Sequence, residues 1–128
     1  MKKILFVFGL ISFLSSCSKD AVYPTMSGKT WKVSLYSDDS KDQTSKFAGY
    51  TFEFKTDGTF TANYTSSSPL NGTWKLTEAN KELIITVAGN DKMDIVSEDW
   101  DVISITDTSI KLVDDGTTDD EVLEFVKN

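Results

Sequence analysis

The chemically active side chains of this chain are almost all carboxylates. The 128 residues include 20 Asp and Glu side chains and no histidine. Two adjacent pairs, Asp38 with Asp39 and Asp119 with Asp120, have the composition that general acid catalysis uses. That chemistry requires a carboxyl group whose pKa is raised by an apolar site or by a neighbouring like charge. Both pairs lie in polar, turn-like stretches, which indicates solvated loops.

Other catalytic arrangements are equally weak in the sequence. Glu53, Glu98 and Asp101 lie beside aromatic strands and are the best remaining candidates for a perturbed carboxyl group. The missing histidine removes the commonest general base and transition-metal ligand. The sequence contains no Gly-rich phosphate loop and no nucleophile elbow. We therefore expect a protein that is not an enzyme and has no catalytic residue and no cofactor.

The acidic stretch at residues 114–121 offers oxygen ligands that Ca²⁺ accepts. Its spacing differs from that of an EF-hand loop, which needs ligands at alternate positions and a glutamate at the twelfth. A negatively charged hairpin loop explains the stretch better, so we expect no metal site. The net charge of −7 and the complete absence of arginine also make nucleic acid an unsuitable partner.

The first seventeen residues have the build of an export signal. Lys2 and Lys3 precede an apolar run over residues 4–14, which is too short for the roughly 20 residues that a membrane-spanning helix needs. The run ends in Leu14, Ser15, Ser16 and Cys17. These four residues resemble the lipobox of bacterial lipoproteins. The resemblance implies acylation of Cys17, cleavage after Ser16 and a stable lipid anchor to the outer membrane. Residues 18–27 lack apolar periodicity and are predicted to form a flexible tether.

Residues 28–128 are predicted to form an all-β domain, because their apolar residues recur at every second position. Trp31, Val33 and Leu35 share one face of the first run, and an Asp-Gly turn at residues 57–58 links the two runs that follow. Residues 93–96 are predicted to be a further strand, and the polar residues 37–49 a solvated loop rather than a short helix or lid. The short connections favour an up-and-down antiparallel barrel of about eight strands, with a β-sandwich as the alternative.

Three segments carry a family resemblance. They are residues 28–32, residues 50–61 with their Asp-Gly-Thr-Phe turn, and residues 72–75 with the sequence Gly-Thr-Trp-Lys. Together they resemble the small lipocalin-like domains of Bacteroidetes lipoproteins. The resemblance implies a β-barrel and non-covalent binding. The spacing of Gly28 and Trp31 departs from the Gly-x-Trp of transport lipocalins, which only Gly72 and Trp74 keep.

The expected ligand is a small apolar molecule, and a protein partner is the alternative. Large side chains are predicted to fill most of the short barrel, which leaves at most a small apolar pocket near one mouth beside residues 37–49. The candidate ligand-binding residues are the inward aromatic side chains, Trp31, Phe52, Phe54, Phe60, Tyr64 and Trp74.

The lipobox generates a direct prediction for the Cys17→Ser variant. The serine oxygen cannot take the place of the thioether that carries the diacylglycerol, and the acidic domain has no other expected affinity for a membrane. We expect the variant to lose acylation and to leave the membrane fraction. Metabolic labelling with a fatty-acid analogue checks this, and label that persists on the serine variant would contradict the lipobox.

Overall fold

A computed structural model describes residues 26–77, 81–114 and 121–128. The lipobox, the tether up to residue 25, and the Asp119 and Asp120 pair lie outside the described residues. The described elements, in chain order, are β1 (Trp31–Asp38), β2 (Lys41–Asp42), a 3-10 helix (Thr44–Phe47), β3 (Tyr50–Phe54), β4 (Thr59–Tyr64), β5 (Leu70–Thr77), β6 (Glu82–Thr86), α1 (Asp91–Val96), β7 (Asp99–Ile105), β8 (Ser109–Val113) and β9 (Glu121–Lys127).

The sheet closes on itself as an eight-stranded antiparallel barrel with β2 as an extra strand. Each strand from β3 to β8 pairs with the next one along the chain, and β1 pairs with both β3 and β9. The β1 to β9 pairing runs from Trp31 opposite Lys127 to Asp38 opposite Glu121. The β1 to β3 pairing is confined to Trp31 opposite Phe52. The predicted up-and-down barrel is thereby confirmed over the β-sandwich.

The Asp-Gly hairpin between β3 and β4 forms as the sequence predicts. Gly58 adopts a φ of 88°, a conformation that glycine reaches at little cost. The Thr59 amide donates to the Asp57 carboxylate at 2.9 Å, and the Lys55 amide donates to the Thr59 carbonyl at 2.9 Å. Hydrogen bonding by the Thr59 backbone, and to a smaller extent by its side chain, lowers the pKa of Asp57.

The barrel interior is filled by its own side chains. Phe54 contacts the rings of Phe60, Trp74 and Phe125 edge-on, at centroid distances of 5.1 to 5.8 Å. Of the other side chains expected to face inward, Tyr64 is exposed, whereas these are buried: Trp31, Phe52, Leu83, Ile85, Ile110, Leu112 and Leu123. Met26, which the sequence assigns to the tether, is buried as well. The predicted self-filled interior is confirmed.

The three tryptophans satisfy their polar atoms inside this core. Each indole Nε1 donates to a backbone carbonyl: Trp31 to Met26 at 2.9 Å, Trp74 to Lys55 at 2.8 Å and Trp100 to Val96 at 2.9 Å. These bonds remove the cost of burying an unpaired N–H group. They also attach the N-terminal segment, the β3 to β4 hairpin and α1 to the barrel wall.

Three local expectations were wrong, and the first concerns residues 93–96. This segment belongs to helix α1 and not to a strand. The Asn90 side chain accepts hydrogen bonds from the Lys92 and Met93 amides, which caps the helix. Met93 and Val96 stand three residues apart, so the helix buries both on one face.

The second wrong expectation concerns the inner face of β1. A β-bulge between Val33 and Leu35 shifts the register against β9. Tyr36 is therefore buried at 1% exposure, whereas the predicted inward residue Leu35 is half-buried. The bulge brings the Tyr36 hydroxyl within 3.1 Å of Glu121, to which it donates a hydrogen bond.

The third wrong expectation concerns residues 37–49, which are not a plain solvated loop. They contain β2 and the 3-10 helix, and the helix buries Phe47. The Phe47 ring lies 5.5 Å from that of Tyr36 on β1 and 6.4 Å from that of Phe52 on β3. This ring fills the gap that opens where the β1 to β3 pairing stops.

The filled interior generates a stability prediction for Phe54→Ala. Removing a fully packed ring leaves a cavity that its neighbours close only in part, so we expect a loss of about 3 to 5 kcal/mol. Urea unfolding followed by tryptophan fluorescence measures the change. Ile103→Ala is the control, because Ile103 is 52% exposed on β7 and its removal is expected to cost under about 1 kcal/mol. A loss below about 1 kcal/mol for Phe54→Ala would contradict a filled barrel.

Candidate functional site

The predicted ligand-binding aromatic residues fall into two groups in the structure. Five of them are at most 4% exposed and pack within the interior: Trp31, Phe52, Phe54, Phe60 and Trp74. Tyr64 is 45% exposed, although its alternation with Phe60 predicts an inward position. It is the last residue of β4, and it lies beyond Ala62, where the pairing with β5 ends. Strand β5, which pairs with β4 beside Phe60, therefore ends before it reaches Tyr64.

Tyr64 marks one end of the barrel, which we call the mouth. In the antiparallel meander, β3 begins and β4 ends at the mouth, and the 3-10 helix and α1 both lie there. The Tyr50 and Tyr64 rings are in contact, with centroids 4.7 Å apart and planes inclined by 39°. One edge of this ring pair is buried by Phe47 and Phe52, at 6.5 and 6.1 Å from Tyr50.

Three adjoining depressions surround Tyr50 at the mouth. The largest, about 560 Å³, is lined by Ser45, Lys46, Ala48, Tyr50, Tyr64 and Lys92. The second, about 260 Å³, follows the gap between β1 and the 3-10 helix and is lined by Lys32, Val33, Thr44, Ser45, Phe47, Ala48, Gly49 and Tyr50. The third, about 170 Å³, is lined by Tyr50, Ala62, Tyr64, Ser67, Ser68, Leu70, Gly89 and Asn90. Each is of a size that suits a small molecule or part of one.

The position of Tyr50 is set by the cap of α1. Asn90 uses its carbonyl oxygen to cap the helix and its Nδ2 to donate to the Tyr50 hydroxyl at 3.1 Å. The Tyr50 hydroxyl keeps its own proton for donation, since it acts as an acceptor in this bond. One side chain therefore couples the start of the helix to the centre of the three depressions.

The 3-10 helix is anchored on the opposite side of the depressions. The Tyr36 amide donates to the Thr44 hydroxyl at 3.0 Å, and that hydroxyl donates to the Asp42 carboxylate at 2.6 Å. The Thr44 side chain and amide both hydrogen-bond to Asp42 and lower the pKa of this carboxyl group. Phe47 of the same helix packs against Tyr36 and Phe52. Ser45, Lys46 and Ala48, which line the largest depression, therefore belong to a segment that is held against the barrel.

The charged side chains that line the depressions are all lysines. The linings of the three depressions contain Lys32, Lys46 and Lys92 and no carboxylate. Among the described residues, the salt bridges are Lys29 with Asp107 and Lys111 with Glu124, so the three lining lysines have no such partner there. The carboxylates at this end lie outside the linings: Asp38, Glu98, Asp114 and Glu121 on the β1, β7, β8 and β9 side, Asp42 on β2, and Asp91 and Asp94 on α1.

The buried Tyr36 donates a hydrogen bond to Glu121, which lies near three other carboxylates. Burial is the largest cause of the raised pKa of Glu121; the hydrogen bond from Tyr36 opposes it, and the charges of Asp38, Asp114 and Glu98 add to it. Burial also raises the pKa of Tyr36, and the charge of Glu121 acts in the same direction. The tyrosine is therefore a neutral hydrogen-bond donor at neutral pH.

The three carboxylates considered for catalysis are not brought together by the fold. Glu53 lies on the outer face of β3, where the Asn63 amide nitrogen is 3.5 Å from it. Glu98 is exposed at the start of β7, and Asp101 is half-buried two positions into that strand. In residues 26–77, 81–114 and 121–128, no group of three or more acidic, histidine or cysteine side chains is arranged to hold a metal ion. Within the same ranges, no helix is long and apolar enough to cross a membrane.

The lining residues outside the aromatic strands were missed by the sequence. Lys46, Lys92 and Asn90 come from segments that were predicted to be loops. A signal for one of them was present, because Asn90 and Asp91 ahead of Met93 form a pattern typical of a helix start. No local pattern places Lys46 beside Tyr64, which lies eighteen positions away along the chain.

Comparison with known proteins identifies a family and a fold. The family model described as Lipocalin-like domain matches residues 26–112. No curated protein matches the chain. The predicted resemblance to lipocalin-like domains is thus confirmed.

Three solved structures are similar in fold. A DUF4847 family protein from Bacteroides vulgatus is 15% identical, with a TM-score of 0.61 over 84% of this chain and 97% of that one. A lipocalin-like protein from Bacteroides uniformis is 15% identical, with a TM-score of 0.60 over 81% and 99%. An uncharacterized protein from Bacteroides eggerthii is 19% identical, with a TM-score of 0.55 over 78% and 98%. At these identities the likeness is one of fold alone.

The Tyr36 and Glu121 pair generates a pH-dependent stability prediction. Because the folded-state pKa of Glu121 lies above its ordinary value of 4.5, its contribution to stability is complete below that pH and is lost as the pH rises through the folded-state pKa. Glu121→Gln keeps an oxygen acceptor for Tyr36 and removes the charge. We expect the variant to melt at a higher temperature than the wild type at pH 7, with the difference vanishing by about pH 4. Thermal melts at both pH values test this, and an equal difference at both would contradict it.

Proposed function

From the premise that this chain belongs to the lipocalin-like domain family, we propose that it is a lipid-anchored, exported binding protein. In this proposal it holds a small, partly apolar molecule without covalent chemistry. The ligand lies at the mouth, on the Tyr50 and Tyr64 rings, and not inside the barrel. Cys17 anchors the protein to the outer membrane, and the residues that follow it hold the domain away from the bilayer.

One observation favours the mouth over the barrel interior as the binding site. The interior is occupied by packed rings, whereas Tyr64 exposes 45% of its surface beside a depression of about 560 Å³. Exposed aromatic rings at a concave surface supply apolar area that a ligand ring can cover. Opening the interior would require the displacement of rings such as Phe54, which costs several kcal/mol. The mouth requires no such rearrangement.

A small ligand also fits the distribution of exposed apolar side chains better than a protein partner does. Among the described residues, the exposed large hydrophobic side chains are Tyr64 on β4 and Ile103 on β7. They stand on strands that are not neighbours in the sheet. A stable protein interface usually has a contiguous apolar centre. Retention of a protein by the purified domain in native mass spectrometry would favour the partner hypothesis.

We expect N-phenyl-1-naphthylamine, a neutral fluorescent two-ring molecule, to bind residues 18–128 at the mouth. Tyr64→Ala removes one of the two rings and should weaken binding about tenfold, the equivalent of one aromatic contact. Fluorescence titration measures the affinity. Ile103→Ala removes the other exposed large side chain and should leave the affinity unchanged. Binding that is unaffected by Tyr64→Ala, or no binding by the unmodified sequence, would contradict the proposal.

A further inference from the structure

We propose that the mouth selects anions, so that its ligand is a ring-bearing molecule with a carboxylate, sulfonate, sulfate or phosphate group. This inference rests on the proposed function and adds the charge of the ligand to it. The ring of the ligand lies on Tyr50 and Tyr64, and its anionic group lies between Lys46 and Lys92.

The composition of the linings is the first argument. Acids outnumber lysines by 20 to 13 in the whole chain, so a surface of average composition would be acidic. The three depressions instead contain three lysines and no carboxylate. Serine and threonine hydroxyls and the Asn90 amide supply the remaining polar atoms of the linings. The serine hydroxyls can donate hydrogen bonds to an anion, whereas the Thr44 proton is already donated to Asp42.

The placement of the two lysines is the second argument. Lys46 lies on the 3-10 helix and Lys92 on α1, and both line the same depression as Tyr50 and Tyr64. Lys92 is half-buried, so its side chain is partly packed against the wall of the depression. Neither lysine has a salt-bridge partner within the described part of the chain. Two like charges that face one depression repel each other, and an anion between them removes that repulsion.

The acidic side of the mouth supplies the third argument. Asp38, Asp114 and Glu98 lie near Glu121, at the mouth end of β1, β7, β8 and β9. Their field disfavours an anion on that side of the mouth. The depressions have lysines and no carboxylate in their linings, so an anionic group is favoured beside Lys46 and Lys92 over the side of Glu121.

The experiment compares two dyes that share one ring skeleton. 8-Anilinonaphthalene-1-sulfonate carries a sulfonate group, and N-phenyl-1-naphthylamine lacks it. We expect residues 18–128 to bind the sulfonate at least fivefold more tightly than the neutral dye in low salt. Raising the salt from about 0.05 M to about 0.5 M should reduce this preference, because salt screens exposed charges.

The double variant Lys46→Gln with Lys92→Gln tests the proposed residues. It should weaken binding of the sulfonate by about tenfold and change binding of the neutral dye by less than about twofold. Lys55→Gln with Lys75→Gln is the matched control, because it removes the same charge from two exposed lysines that line none of the depressions. This control should bind both dyes as the unmodified sequence does. Urea midpoints verify that both variants fold.

The outcomes separate this inference from the proposed function. A neutral dye that binds at Tyr64 while the sulfonate has no advantage would overturn the anion selectivity and leave the proposed function in place. Equal weakening of sulfonate binding by the two double variants would also overturn the anion selectivity of the mouth. The net charge of the protein would then explain the binding without a specific role for Lys46 and Lys92. Failure of both dyes to bind would overturn the proposed function and this inference together. A sulfonate advantage that only the Lys46 and Lys92 variant removes supports the inference.

Discussion

The packing of aromatic rings inside a short barrel is the constraint on which the rest of the structure depends. The described chain has no disulfide to stabilise it, since the one cysteine of the sequence is Cys17. Burial of apolar surface must therefore hold the fold together. Phe54, Phe60, Trp74 and Phe125 meet edge-on at the centre, and their rings leave the barrel no room to act as a calyx. The rings that stabilise the barrel therefore occupy the interior space in which a ligand would otherwise bind.

The candidate binding surface therefore lies at the mouth of the barrel. Residues 37–49 leave the β1 strand, cross the mouth and return to β3, and they bury Phe47 where the two strands separate. Helix α1 reaches the same end and holds Tyr50 through Asn90. The two short helices provide Lys46 and Lys92 and part of the walls, while Lys32 comes from β1. A rigid, filled barrel with a variable rim can accommodate different ligands by changes in these connecting segments alone.

Much of the architecture could be predicted from local sequence patterns. Alternation of apolar residues indicated the strands, and Asp57 with Gly58 indicated their tightest hairpin. Such patterns are reliable where one face of a strand is buried, because a shift of one residue would expose the whole apolar face. The pattern failed at the β1 bulge, where one extra residue makes Tyr36 inward-facing. It failed again at residues 93–96, where four residues are too few to distinguish a strand from one turn of helix.

The candidate site was less predictable than the fold. The sequence placed a small pocket beside residues 37–49, but among the candidate ligand-binding residues only Tyr64 lines it, and it was chosen on the assumption that it points inward. By itself, the sequence determined the strand alternation, the acidic charge, the aromatic content of the core and the lipobox pattern, because each depends on neighbouring residues or on composition. The tertiary structure alone decided that Lys46, Tyr50, Tyr64 and Lys92 share one depression. That decision depends on the closure of β1 on β9 and on the length of each strand, which bring distant segments to the same end of the barrel.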